Sequence, residues 1–336
     1  MRILVTGGSG FIGTNWIRKR LKEYPNDTIV NIDKLTYASN LAPKAKEYGG
    51  KRDRLDEEYF TWYNEGGHRY HHFGYDICDE NKISKVIDTM KPEAIVHFAA
   101  ESHVDNSIEN PSEFINTNIV GTFNLLKNAR ILATENKDFR FLHVSTDEVY
   151  GSLGSEGKFT EETPYDPRSP YSAAKASSDH LVRAYFHTYG FPGLITNCSN
   201  NYGPYQHREK FIPKIITTIV NGGIIPVYGK GENIRDWLYV EDHCDALNVV
   251  LEKGKIGETY NIGGDCEKRN IDIVETIQLE MGVKKSLISF VKDRLGHDFR
   301  YAIDHSKITK ELGWKPKTKF KDGIKKTIEF YKGELV

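Results

Sequence analysis

The chain has 336 residues, with 46 lysines and arginines against 47 aspartates and glutamates and 38% hydrophobic residues. That length suits one large domain or a main domain with an appendage, and the balanced charge argues against a nucleic-acid partner. No apolar run reaches membrane-spanning length, and Met1-Arg2 leads straight into what reads as a first strand, so a cytoplasmic enzyme without a membrane partner is expected.

In chain order, a strand over Arg2–Val5 runs into the glycine-rich "VTGGSGFIG" of 5–13, and a helix is expected over Phe11–Glu23. A second strand, Thr28–Ile32, ends at Asp33. The polar, poorly periodic stretch between Tyr37 and Phe73 reads as a long surface excursion. Further helices are expected over Glu80–Met90, Ser112–Leu132 and Tyr171–Tyr189, and strands over Ala94–His97, Arg140–Val144 and Leu194–Asn197. In Ser112–Leu132 the apolar residues cover one wide face, which belongs either to the core or to a subunit contact. Asn200-Asn201-Tyr202-Gly203-Pro204 is a turn-rich break, followed by a helix from Lys210 and a strand around Ile225–Tyr228. Strand–helix alternation of this kind specifies an α/β fold, a doubly wound parallel (Rossmann) sheet, over residues 1–200. Residues 201–336 read as a smaller mixed domain covering it, with some chain crossing between the two.

The loop satisfies two glycine spacings, through Gly7, Gly8, Gly10 and Gly13, and lies between a strand and a helix. In that setting the missing side chains let backbone N–H groups approach a pyrophosphate. Asp33 follows twenty residues after Gly13. A carboxylate there accepts the ribose hydroxyls and repels a 2′-phosphate, so NAD is favoured over NADP.

"SPYSAAK" opens a helix, with Ser169 as N-cap and Pro170 in the first turn. Tyr171 and Lys175 are four apart and share a helical face. An ammonium beside the phenol, together with a positive nicotinamide, would lower its pKa towards neutrality and make it a base. "STDEVYG", residues 145–151, places Asp147 and Glu148 at the end of a buried strand. Repulsion and burial there could keep one carboxyl protonated while its neighbour stays ionised. "HRYHHF" (68–73) offers three histidines without a carboxylate frame and reads as a solvated loop, so no metal is expected. Cys78, Cys198, Cys244 and Cys266 are widely spaced, as free thiols would be.

These residues resemble the extended short-chain dehydrogenase/reductase family, and within it the nucleotide-sugar 4,6-dehydratases. The resemblance runs through "DKLTYASNL" (33–41), "AAESHVDNSI" (99–108), "STDEVYG", "SPYSAAKASSDHLVRAY" (169–185), "TNCSNNYGPYQ" (196–206), "IRDWLYVEDH" (234–243) and "DRLGHDFRYAID" (293–304). It covers nearly the whole chain, and the Asp-Glu pair is its most specific element, because related epimerases lack it. The resemblance implies that water is removed from a nucleoside-diphosphate hexose, first of all dTDP-glucose. Tyr171 would act as base at O4 with Lys175 beside it, Thr146 as a hydroxyl near O4, Glu148 as base at C5 and Asp147 as acid at O6. It implies cofactor contacts at Gly7, Gly10, Phe11, Ile12, Gly13, Asp33, Lys34, Leu35, Thr36, Asp76, Ile77, Ala99, Ala100, Ser102, Thr117, Tyr171, Lys175 and Asn201. Substrate contacts are implied at Ser102, Thr146, Asn200, Lys210, Phe211, Pro226, Val227, Tyr228, Arg235, Asn270, Asp293, Arg294 and His297, and a homodimer is implied through paired helices.

Asn106, His207-Arg208 and Leu295 depart from the usual pattern, where an arginine, Phe-Pro and a proline are expected. They lie where the choice of nucleotide sugar could change, so UDP- or GDP-linked sugars stay open as substrates. A C4 epimerase on the same scaffold and a non-catalytic NAD(H) sensor are the alternative readings. The acid pair argues against the first, and Tyr171 with Lys175 against the second.

Overall fold

A computed structural model describes residues 1–40, 51–54, 59–64, 67–293 and 298–335. Its strands are β1 (Arg2–Thr6), β2 (Thr28–Ile32), β3 (Lys51–Arg54), β4 (Tyr59–Asn64), β5 (Gly67–Phe73), β6 (Ala94–His97), β7 (Arg140–Thr146), β8 (Gly193–Cys198), β9 (Asn200–Tyr202), β10 (Ile225–Tyr228), β11 (Ile234–Tyr239), β12 (Thr259–Ile262), β13 (Glu267–Arg269) and β14 (Ile288–Val291). The main helices are α1 (Phe11–Glu23), α2 (Glu80–Met90), α3 (Val104–Glu109), α4 (Pro111–Phe114), α5 (Thr122–Glu135), α6 (Pro170–Tyr189), α7 (Phe211–Val220), α8 (Val240–Lys253), α9 (Asn270–Glu280), α10 (Ser306–Leu312) and α11 (Phe320–Leu335).

The large sheet runs β12-β8-β7-β6-β1-β2-β5-β4-β3. From β12 to β5 every neighbouring pair is parallel. Side chains alternate between its faces, so Ile3, Val5, Ile29 and Val96 pack with α1 and α8 on one side. Leu4, Val30 and Ile95 pack with α2, α5 and α6 on the other. Both faces are covered, which is why the central strands read as nearly continuous apolar runs. Ser169 caps α6 as expected, accepting from the Ser172 backbone at 3.0 Å, and Gly190 ends the helix in the left-handed region.

Two expectations change. The excursion expected between Tyr37 and Phe73 is sheet where it is described beyond residue 50: β5 is the parallel neighbour of β2, and β4 and β3 extend the edge as antiparallel strands. The histidines of 68–73, expected in a solvated loop, therefore lie on β5, with His72 buried. Residues 41–50, 55–58 and 65–66 of that stretch lie outside the described residues. The helix expected over Ser112–Leu132 exists as α4 and α5 joined by seven residues, Ile115–Gly121, wound in wider π turns. Near residue 200 the chain crosses between the two parts: α8 packs under the large sheet and β12 closes its far edge beside β8. The smaller lobe is therefore built from two short sheets, β10-β14 and β13-β11-β9, with α7, α9 and α11 packed over them.

Arg20 pins α1 to α8. Only 2% exposed, its guanidinium donates to Asp27 at 2.6 Å, to Glu252 at 2.7 Å and to Asn248 at 3.1 Å. Arg20→Ala takes one of two cations from the buried Asp27 carboxylate, the Met1 ammonium at 2.8 Å being the other, and unfolding in urea should show a loss of about 1.5–3 kcal/mol.

Candidate active site

The loop after β1 is fixed onto the end of β2. Gly8 N–H donates to Asn31 Oδ1 at 3.0 Å and Ser9 N–H to Asp33 Oδ2 at 2.9 Å. Gly7 has φ +69°, and a side chain there would meet the Ala99 backbone at 2.5 Å. A Cβ on Gly13 would meet Gly7 O at 2.5 Å. Helix α1 then begins at Gly10 without a side-chain cap, so its first N–H groups face the pocket. A backbone stripped of side chains, uncapped N–H groups and a buried carboxylate at the next strand end fit the pyrophosphate and ribose of a dinucleotide. Burial pushes the Asp33 carboxyl up, against the pull of the Leu35 and Ser9 amides and the Ser39 hydroxyl. Gly13→Ala should therefore expel cofactor rather than unfold the sheet. The ratio of NAD to protein after gel filtration should fall by about tenfold or more, as about 1.4 kcal/mol of lost affinity would produce.

The reactive groups stand at the ends of β7 and α6. Thr146 terminates β7 and caps a 3-10 turn over Asp147–Tyr150, its Oγ1 accepting from Glu148 N–H at 3.3 Å. The same hydroxyl donates to Asp147 Oδ1 at 3.4 Å and hydrogen-bonds the Tyr171 phenol. The two acids separate by environment. Asp147 is buried, and its Oδ2 has no hydrogen-bond partner among the described residues, whereas Glu148 is half-buried at the pocket wall. Burial, then the charges of Glu148 and Asp236, hold Asp147 well above the usual carboxylate range, with Arg235 and Thr146 pulling the other way. Asp147 is thus the carboxyl that keeps its proton.

For Tyr171 the structure corrects the expectation. Burial first, then the charge of Glu148 and the Cys198 thiol, push the phenol up, and the Thr146 hydrogen bond only partly offsets them. Lys175 does not counter this by itself, because its ammonium donates to Val144 O at 2.9 Å and faces His143 Nε2 at 3.4 Å. The Lys175 pKa is itself lowered, to about 8, by burial.

One continuous pocket collects most of the expected residues. Gly7, Gly10, Phe11, Ile12, Gly13, Asp33, Lys34, Thr36, Asp76, Ile77, Ala99, Ala100, Ser102 and Thr117 line its cofactor half. Thr146, Asp147, Glu148, Tyr171, Lys175, Asn200, Asn201 and Lys210 line the rest. Other expected residues stand elsewhere. Leu35 points outward and contributes its backbone N–H to Asp33 Oδ1 at 2.9 Å. Phe211 stacks on Trp237 with ring centroids 6.2 Å apart, and Val227 is core, so its side chain is not available to a ligand. Pro226 and Tyr228 project outward from β10, Asn270 begins α9, and the Asp293 carboxylate approaches Gly229. Arg235 is buried, donating to the carbonyls of Ile234, Asp298 and Phe299 and lying over the Tyr301 ring at 4.3 Å. Arg294 and His297 lie outside the described residues. No cluster able to hold a metal is found among the described residues. Glu101, Cys198, Ser199 and Gln206, none of them expected as site residues, also stand in the pocket wall. Each lies inside one of the motifs 99–108 and 196–206, and its inward direction is set by the end of β8 and the loops after β6 and β8.

A doubly wound sheet with a dinucleotide loop, a Tyr–Lys helix and an acid pair in one pocket defines the class of short-chain dehydrogenase/reductase-like enzymes that combine hydride and proton transfer. The family model described as GDP-mannose 4,6 dehydratase matches residues 4–327, and the chain belongs to this family. It is 51% identical to the dTDP-glucose 4,6-dehydratase of Salmonella typhimurium, over 98% of this chain and 92% of that protein. The structure is similar to that of the Bacillus anthracis dTDP-glucose 4,6-dehydratase in complex with NAD, with a TM-score of 0.84 at 43% identity over 99% and 97% of the two chains. It is also similar to the Streptomyces venezuelae dTDP-glucose 4,6-dehydratase with NAD bound, with a TM-score of 0.87 at 42% identity over 99% and 97%.

Proposed function

We propose that the protein is an NAD-dependent hydro-lyase that converts dTDP-glucose to dTDP-4-keto-6-deoxyglucose. The observation that carries this reading is the pairing of a buried Asp147, whose carboxyl burial pushes well above the usual range, with a half-buried Glu148 in the pocket of Tyr171. An epimerase needs only the tyrosine. Elimination across C5 and C6 needs one group to take a proton and another to give one at adjacent carbons.

The glycine-loop backbone and Asp33 would hold NAD in their half of the pocket, where it would supply the hydride acceptor and later donor. Tyr171 takes the proton of the sugar 4-hydroxyl, with Thr146 holding that oxygen. Once C4 is a ketone, the C5 proton is acidic and Glu148 removes it. Asp147 delivers its proton to the departing 6-hydroxyl, which leaves as water, and Glu148 returns to C5 the proton it took while the hydride removed from C4 would come back to C6. Lys175 holds a positive charge beneath the tyrosine, and Lys210, whose ammonium reaches Ser102 O at 3.1 Å, guards the sugar side.

The family label and the similar enzymes name different sugars, so the nucleotide is tested directly. Purified protein incubated with dTDP-glucose and no added NAD should yield a product lighter by one water, and UDP-glucose and GDP-mannose should react far more slowly. A mass-neutral isomer would instead indicate an epimerase, and no reaction a sensor.

The active unit is proposed to be a homodimer. The inner face of the 111–135 helical stretch, with Phe114, Leu125, Leu126 and Leu132, is core. Ile115, Val120, Phe123 and Ile131 form a second, exposed apolar face. A second copy covering that face accounts for it. Phe123→Glu should shift the mass in sedimentation equilibrium from two chains to one at micromolar concentration.

A further inference from the structure

Beneath the Tyr–Lys pair lies a set of buried polar groups that the reaction above does not use. His143, on β7, and Asp179, one turn beyond Lys175 on α6, are both fully buried, with His143 Nε2 3.1 Å from Asp179 Oδ1. On its other side the same imidazole nitrogen faces the Lys175 ammonium at 3.4 Å. Asp179 Oδ2 accepts from Ser145 Oγ and from the Tyr165 phenol, each at 2.9 Å. The Tyr165 oxygen in turn accepts from Arg183 at 2.8 Å and from Asn197 at 3.1 Å. Donors from β7 and a loop thus hold the carboxylate through Oδ2, and donors from α6 and β8 hold the loop tyrosine in turn.

The charges in this cluster can be assigned. Burial and the Lys175 ammonium push His143 down to about 4, so the ring is neutral at neutral pH. Its Nδ1 has no partner among the described residues, while Nε2 also meets Ser178 Oγ at 3.1 Å. Asp179 Oδ1 stands beside that nitrogen without a hydrogen-bond partner among the described residues, so the carboxylate acts on the cluster through its charge. Against the effect of burial, His143, Lys175 and Ser145 keep the Asp179 carboxyl below its ordinary value, so it is an anion. The other titratable groups that interact with Lys175 are His97 on β6, also driven neutral by burial, and Cys198 on β8, whose thiol is pushed up to about 12. Tyr150 and Tyr165, which face Asp179, are likewise held as neutral phenols. Asp179 is thus the one anion among the groups that face this ammonium.

We infer that Asp179, acting across His143, is the fixed counter-charge that keeps Lys175 an ammonium in its buried position, a positioning residue for the catalytic pair. A buried lysine without an anion would release its proton within the working pH range. Lys175 must be charged to serve, so activity should decline as pH rises through about 8.

The inference rests on the assignment of Lys175 in the proposed reaction, and two experiments on the NAD-loaded protein separate the two claims. In Asp179→Asn the alkaline limb of kcat/KM with dTDP-glucose should move down by about one pH unit or more, with the loss largest above about pH 8 and much reduced near about pH 6. A profile parallel to that of the unaltered protein, whatever its height, would mean that Asp179 is merely structural. The second experiment needs no turnover and does not require Asp179→Asn to fold alone. Lys175→Met strands the Asp179 anion, so adding Asp179→Asn to it should raise the melting temperature. An equal or lower melting temperature overturns the inference. Normal turnover by Lys175→Met would sink the catalytic assignment and leave the melting comparison to report the charge pairing.

Discussion

Glu148→Gln is expected to lower turnover of dTDP-glucose by about 10²–10⁴-fold, the range for removing a positioned general base. The amide keeps the shape of the carboxylate but cannot accept the C5 proton. Oxidation at C4 does not use Glu148, so the variant should stop half-way. Mixing it with excess sugar should raise the absorbance of bound reduced nicotinamide, and that signal should persist rather than decay. Fold and cofactor content should be unchanged, because Glu148 is only half-buried and its backbone N–H, bonded to Thr146, is retained. The change also removes the second of the causes that hold Asp147 up. Burial remains the larger cause, so Asp147 should still hold its proton at neutral pH, and the defect should be the missing base alone. Turnover within a few-fold of normal would place the base elsewhere.

The parts of the molecule that were legible in the sequence are those set by local rules. Helices α1 and α2 and strands β2, β6 and β10 stand where periodicity and caps place them. The glycine loop was legible because strand, loop and helix occur together, and the acid pair because adjacent carboxylates after a buried strand have few structural uses. What stayed hidden depends on contacts distant in sequence. The aromatic-rich Tyr59–Asn64 has strong β propensity, but its sheet exists only because the edge of β5 is there to receive it. The π turns over Ile115–Gly121 leave no mark in composition. They bring Thr117 to the pocket and Gly121 against Ile77, where a Cβ would meet Ile77 Cδ1 at 2.5 Å. The Tyr171 environment shows the same limit. Spacing put a cation four residues away, but the route of the lysine side chain sent that cation to Val144 O and His143. Val227 and Arg235 sit in motifs of the right type, but the alternation of β10 and the carbonyls around β11 turn them into the smaller lobe.

Tyr171→Phe should fail one step earlier than Glu148→Gln. Without the phenol nothing in the pocket takes the 4-hydroxyl proton, so turnover should drop by about 10²–10⁴-fold, and no reduced nicotinamide should appear on adding sugar. The ring itself stays in place, because it packs edge-on against Phe114 with centroids 6.3 Å apart. The hydroxyl gives up one hydrogen bond with Thr146, so the stability lost should be only about 0.5–1.5 kcal/mol. The burial and the Glu148 charge that raise this phenol also predict how the variant pair behaves together. In Glu148→Gln the repulsion on the phenolate is gone, so the phenol should ionise more readily and reduced cofactor should build up at least as fast as in the first turnover of the unaltered protein. Combining the two changes should give the Tyr171→Phe behaviour, with no reduced nicotinamide at all, because a block at the first proton transfer hides any block at the second. Reduced cofactor accumulating in the double variant at the rate seen for Glu148→Gln would show that another group removes the 4-hydroxyl proton.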